Sequence, residues 1–280
     1  MDDTTNGMSL IVDGHVHIGE GIDGGGFRHG SMSGEQLLNL MDGPFLLFGE
    51  QRRIDRALVQ PNIFRTRTGD PAEHHEYVSR FVADNSDRLV GCFVVNPLLD
   101  LARNLEVLEE HLSSRGFRAI KLHPMAHGYL PSVVRDELDP VIEMARHFNR
   151  PVLVHQGDPP FSHPSLIAPI ARDFPDVSFI LAHFATQRVV MASEAIYVAA
   201  TCPNVYLETG WGALPRFKEG IAEVGAGRLI FGSDCPIQEM GSQMRPIEVL
   251  GWDEPIGINL PRAEIDGILG NTLWSLIGKP

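Results

Sequence analysis

Short apolar runs alternate along this chain with longer stretches in which apolar side chains recur every three or four positions. Residues 10–15, 54–59, 89–95, 117–122, 151–154, 177–181, 205–207 and 228–231 read as eight strands. A helix starts at Ser33-Gly34-Glu35-Gln36 and runs to about Met41; Ser33 caps it and Gln36 closes a capping box. Asp70-Pro71 opens a second helix to about Asn85, with Tyr77, Val78, Phe81 and Val82 on its apolar face. Further helices are expected over 101–112, 133–148, 163–173, 187–200, 214–224, 262–269 and 272–277. Regular alternation means parallel strands joined by helical crossovers. Eight such units fit a (β/α)8 TIM barrel in one domain. A doubly wound open sheet would place a Gly-rich phosphate turn after the first strand, where this chain carries Ile11-Val12-Asp13-Gly14-His15-Val16-His17. No short-period repeat points to a solenoid.

Composition narrows the function more than the fold. The 280 residues are 43% hydrophobic and 21% charged, an ordinary globular balance. Residues 1–9 read as a disordered tail and 10–280 as the barrel; the acidic start is not a signal peptide, and no apolar run is long enough to span a bilayer. A net charge of -13 with no basic run argues against nucleic acid or an anionic membrane as partner. Cys92, Cys202 and Cys235 are odd in number and widely spaced, and read as reduced thiols of a cytoplasmic protein. The Gly-rich segment from Gly19 to Gly34, which holds His29, is a candidate lid. Met32, Met41 and Met144 read as core filling.

In a barrel of this kind the C-terminal strand ends form the active face. His15 and His17 lie there on strand one, two residues apart and so on one side, with Asp13 below them. His123 closes strand four, His155 strand five, His183 strand six and Asp234 strand eight. Several strands ending in metal-ligand residue types define a metal site better than any one does. His15, His17, His155 and Asp234 make a four-ligand set for a divalent ion, and water bound to such an ion has its pKa lowered to about 7. His183 is the candidate base, or else only orients a ligand. Asp234 is expected to ligate first and then to carry a proton. Lys121 lies two residues before His123 and faces the same side; it is a positive charge inside the barrel or one half of an ion pair with Glu208 or Asp13. Trp211 is a candidate pocket wall, and Arg65, with Arg67, a candidate clamp for a substrate carboxylate. His74, His127, Tyr129 and His163 are weaker pocket candidates.

Several segments resemble the amidohydrolase superfamily. They are Leu10–His17, Ala119–Pro124, Pro151–His155, Leu181-Ala182-His183, Asn204–Thr209, Phe231–Pro236 and Ile268–Thr272, which follow the family's order. The nearest branch is the one related to aminocarboxymuconate-semialdehyde decarboxylase. The resemblance runs from about residue 10 to the C-terminus. It implies the (β/α)8 barrel, His15, His17, His155 and Asp234 as ligands of one divalent ion, usually zinc, and His183 as the catalytic histidine. Manganese is an alternative. A binuclear site would need a carboxylated Lys121, as in some branches; the branch resembled here suggests one metal, with His123 near the substrate.

The expected activity is therefore metal-dependent hydrolysis of a small ester, lactone or amide. The alternative is non-oxidative decarboxylation of a small aromatic or unsaturated acid at the same site. A metal-free lactonase and a non-enzymatic scaffold rank lower, since no expected ligand is missing. The partner is a small-molecule substrate. Barrels of this family often pair, but no stretch of the chain marks a face for a homo-oligomer.

Overall fold

A computed structural model describes residues 9–19, 23–24, 27–28, 32–114, 116–186 and 188–278. The tail 1–8 and half of the Gly-rich segment, including His29, lie outside the described residues. Eight strands form one parallel sheet in chain order: β1 (Val12–His17), β2 (Arg56–Gln60), β3 (Leu89–Val95), β4 (Phe117–Leu122), β5 (Val152–His155), β6 (Phe179–Ala182), β7 (Val205–Glu208) and β8 (Leu229–Ile230). The sheet closes where the chain beyond β8 meets β1. Gly14 N donates to Phe231 O at 2.9 Å, Asp234 N to His15 O at 2.8 Å and His17 N to Cys235 O at 2.8 Å. Gly14 is required at this seam, because a Cβ there would sit 2.9 Å from the Phe231 carbonyl. The eight-stranded barrel read from the apolar runs is the fold.

The helices α1 (Gly34–Met41), α2 (Pro71–Asp84), α3 (Leu101–Ser114), α4 (Arg135–His147), α5 (Ala168–Asp173), α6 (Val189–Thr201) and α7 (Leu214–Val224) lie where the periodicity puts them. Both halves of the Ser33–Gln36 capping box form. Several elements were not expected. Phe45–Leu47 and Glu50–Arg52 pair as an antiparallel hairpin turning at Phe48 and Gly49, both at positive φ. Ile63–Arg67, read as loop around its arginines, is a 3₁₀ turn capped by the Asn62 side chain. Met240–Val249 is a helix, α8, although Gly241 and Pro246 interrupt its pattern. It holds because the Glu239 carboxylate accepts from Gly241 N and Ser242 N, and Met240, Met244 and Ile247 are buried.

The end of the chain runs from α9 (Arg262–Asp266) through a π-helical stretch, Gly267–Asn271, into α10 (Thr272–Ile277). The Ile268 carbonyl accepts Phe231 N at 2.8 Å, which ties this segment to the strand it follows. Leu273 and Ile277 of α10 plug the N-terminal end of the barrel against Val12, Leu58, Leu153 and Ile180. The opposite end carries the polar strand ends. Met32 and Met41 are buried as expected, and Met144 packs on the core from its edge.

Between α2 and β3 a buried histidine acts as a structural connector. Val94 N donates to His75 Nε2 at 2.9 Å, so that nitrogen is bare and Nδ1 donates to Pro71 O at 2.7 Å. Burial pulls the ring's pKa from 6.5 down to about 3. The unfolded chain therefore takes up a proton near pH 6.5 that the folded chain refuses until about pH 3. The stabilisation is complete above pH 6.5 and lost as pH falls, at up to about 1.4 kcal/mol per pH unit. Urea unfolding of His75→Gln at pH 6.5, 5.5 and 4.5 is expected to show a slope against pH shallower by about that amount; an unchanged slope would remove His75 from the acid response.

Candidate metal centre

His15 and His17 leave β1 pointing into the barrel mouth. His17 Nδ1 lies 3.2 Å from the Pro61 carbonyl, which can only accept, so Nδ1 carries the proton and Nε2 is bare. His15 Nδ1 lies 3.3 Å from Glu208 Oε2, which leaves its Nε2 bare as well. Both bare nitrogens face one oxygen. Asp234 Oδ1 is 3.1 Å from His17 Nε2 and 3.5 Å from His15 Nε2. Gln60 Nε2 stands 3.2 Å from His17 Nε2, and Lys121 Nζ 3.2 Å from His15 Nε2. Two lone pairs and a carboxylate oxygen converge here in a site buried on every side. Without a cation between them they repel; with one, each becomes a ligand.

Electrostatics match that use. Burial, reinforced by the Lys121 charge, holds His15 well below the usual histidine range. Burial also opposes the Asp234 carboxylate, but its electrostatic interactions with His15, His183 and His17 outweigh it and keep Asp234 well below the usual range. An unprotonated His15 and an ionised Asp234 are the protonation states a divalent cation needs.

Glu208, at the end of β7, is the hub the sequence reading missed, naming it only as a partner for Lys121. Its Oε2 accepts His183 N at 2.9 Å, its Oε1 accepts Gly210 N, and His15 Nδ1 leans on it. His15, His183 and Glu208 form a second group with metal-ligand spacing beside His15, His17 and Asp234. The groups share His15, and Glu208 is engaged there as the acceptor that fixes the His15 tautomer. The signal was available: Glu208 ends its strand as His183 ends β6. Asp13 is fully buried; its Oδ1 accepts Ser233 N at 2.9 Å and His15 N at 3.1 Å, and burial pushes its carboxyl up to about 7.

The remaining site candidates are spread around this core. His183 stacks on His15, ring centroids 4.9 Å apart, with Nε2 3.8 Å from Asp234 Oδ2. Burial brings its pKa down to about 3. His155 stands outside both ligand groups. Its ring stacks on His123 at 3.7 Å and its Nε2 meets Asp158 Oδ2 at 2.8 Å. His123 accepts Ala126 N on Nδ1 and caps the turn Pro124–His127. Lys121 is fully buried, and burial lowers its pKa against the pull of Asp234, Cys92 and Glu208. Trp211 does more than wall the site: its indole N–H donates to Asp234 Oδ2 at 2.7 Å. Arg65 is exposed on the Ile63–Arg67 turn, outside both ligand groups, and Arg67 is tied to Ala126 O and lies over Phe64. His183, Trp211 and Asp234 all sit at φ near 60°, in the left-handed region. Asp and His tolerate this region best, whereas Trp211 is held there at a cost of about 1 kcal/mol or more.

A parallel eight-stranded barrel with histidines and an aspartate converging at its C-terminal mouth has the build of a metal-dependent barrel enzyme. The chain belongs to the amidohydrolase family, which it matches over residues 13–272. No curated protein matches it. Among solved structures, it is similar to 5-carboxyvanillate decarboxylase from Novosphingobium aromaticivorans, holding manganese and 3-methoxy-4-hydroxy-5-nitrobenzoic acid (13% identity, TM-score 0.73, covering 97% of each chain). It is also similar to dihydroxybenzoic acid decarboxylase from Polaromonas, with manganese and the inhibitor 2-nitroresorcinol (15% identity, TM-score 0.70, 96% of this chain and 97% of that one). A third similar structure is a putative 2-pyrone-4,6-dicarboxylic acid hydrolase from Pseudomonas putida (15% identity, TM-score 0.68, 97% and 98%). Among the described residues, no helix is long and apolar enough to cross a membrane.

Proposed function

We propose that this chain is a metal-dependent hydrolase of a small ester, lactone or amide, built on one divalent ion held by His15, His17 and Asp234. The observation that carries the reading is the pair of bare Nε2 atoms aimed at Asp234 Oδ1. His155 becomes a fourth ligand if its ring leaves Asp158. Once bound, the ion supplies Lewis-acid polarisation and a water that is nucleophilic at neutral pH. Zinc suits an imidazole-rich set, and manganese is the ion in two of the similar structures. The shared His15 favours one ion over two.

The chain's own groups then handle the protons. His183 is neutral at pH 7, so it is a base and not an acid. Its backbone is pinned by Glu208, and its ring edge lies beside Asp234. It takes the proton of the attacking water and returns it to the leaving group. Lys121 and the cation leave the site able to accept an anionic substrate group. Hydrolysis needs such a base beside the attacking water, and decarboxylation needs a proton donor to carbon.

Decarboxylation of a small carboxylic acid is the second reading, favoured by the two similar decarboxylases. Mass spectrometry on protein purified without chelator should find about one zinc or manganese per chain. Panels of lactones, esters, amides, hydroxybenzoates and muconates, followed for both CO₂ and hydrolysis products, then separate the readings. Hydrolysis without CO₂ supports the first, CO₂ release the second, and no ion even after titration overturns both.

A further inference from the structure

The contact that the metal reading leaves unexplained is the one between Trp211 and Asp234. Trp211 is the third residue after β7, and its backbone is in the left-handed region at φ 58°. A residue of this size avoids that conformation unless something holds it. Two contacts do. Trp211 N donates to Gln243 Oε1 of α8 at 2.8 Å, and Trp211 Nε1 donates to Asp234 Oδ2 at 2.7 Å. Asp234 is at φ 61° one strand further on. The two oxygens of its carboxylate are thereby divided: Oδ1 faces His15 and His17, and Oδ2 is taken by the indole.

We infer that Trp211 is a positioning residue for the metal centre: its indole N–H turns and holds Asp234 so that Oδ1 alone is offered to the ion. The inference rests on the metal-site reading above. A carboxylate presents a single oxygen reliably only when its second oxygen is fixed, and partners of this kind change metal affinity roughly 10- to 100-fold. With Oδ2 occupied, Asp234 is a ligand and not the proton carrier, which leaves proton transfer to His183. The Gln243 contact extends the support to α8, the helix that the sequence pattern hid.

The test separates the indole N–H from the shape of the ring. Trp211 is replaced by β-(3-benzothienyl)alanine, which keeps the bicyclic outline and removes the donor, and in a second chain by Phe. Zinc and manganese dissociation constants are measured by competition with a chromophoric chelator, and the melting temperature of each metal-free protein serves as the fold control. The expected result is a 10- to 100-fold weaker dissociation constant in the benzothienyl chain, with the metal-free melting temperature unchanged. Gln243→Leu is expected to weaken binding in the same direction by a smaller factor. Wild-type affinity in the benzothienyl chain overturns the positioning role and leaves Trp211 as a wall. A wild-type chain that binds neither ion overturns this inference and the metal reading together.

Discussion

Asp234→Ala is expected to weaken divalent-ion binding by at least about 100-fold and to abolish turnover with it. Asp234 supplies the one carboxylate oxygen toward which both bare nitrogens point. Its removal leaves two imidazoles from a single strand, too few to hold an ion against water. Ion content by mass spectrometry and a chelator titration check this, and full metal content in the variant would mean the ion sits elsewhere. His155→Ala makes an informative companion. The four-ligand set read from the sequence expects the same loss, whereas His155 bonded to Asp158 would be a bystander and its variant would keep the ion.

His183→Asn should do the reverse: retain the ion and lose about 10²- to 10⁴-fold in kcat, the usual contribution of a positioned base. The reason is geometric. His183 reaches the centre through its neighbours, stacked on His15 and 3.8 Å from Asp234 Oδ2, while its backbone N–H stays bonded to Glu208 whatever the side chain. Loss of metal in proportion to activity would make His183 a ligand, as its grouping with His15 and Glu208 allows. Burial keeps the His183 ring of the metal-free protein unprotonated, so His183 itself should set no acid limb on the activity near neutral pH, and any acid loss of activity should follow loss of the ion as the ligands protonate.

The strands were legible because barrel strands are buried on both faces, so most are largely apolar runs between polar ends. Every one of the seven residues of β3 is buried. The polar residue closing each run then marked the mouth, which is how His15, His17, His183 and Asp234 could be gathered from distant parts of the chain. What stayed hidden depends on contacts rather than pattern. α8 survives Pro246 through its Glu239 cap and its buried methionines. Glu208 reads as one more buried acid until the His183 and Gly210 amides are seen to converge on it. The stacking of His155 on His123 and its bond to Asp158 are likewise properties of the assembled mouth, and strand-end logic could not distinguish His155 from its neighbours.

The seam between β1 and the chain beyond β8 also sets a schedule for synthesis. His15 and His17 leave the ribosome more than 200 positions ahead of Asp234 and of the Phe231 and Cys235 carbonyls and Asp234 amide that bond β1 across the seam. At roughly 5–20 residues per second, the nascent chain spends ten seconds or more with β1 as an unpaired sheet edge and two histidines without their carboxylate. An ion captured in that interval would be held by half a site, so stable metal uptake has to follow release of the C-terminal segment. The interval is also when the open edge is most exposed to pairing with another chain.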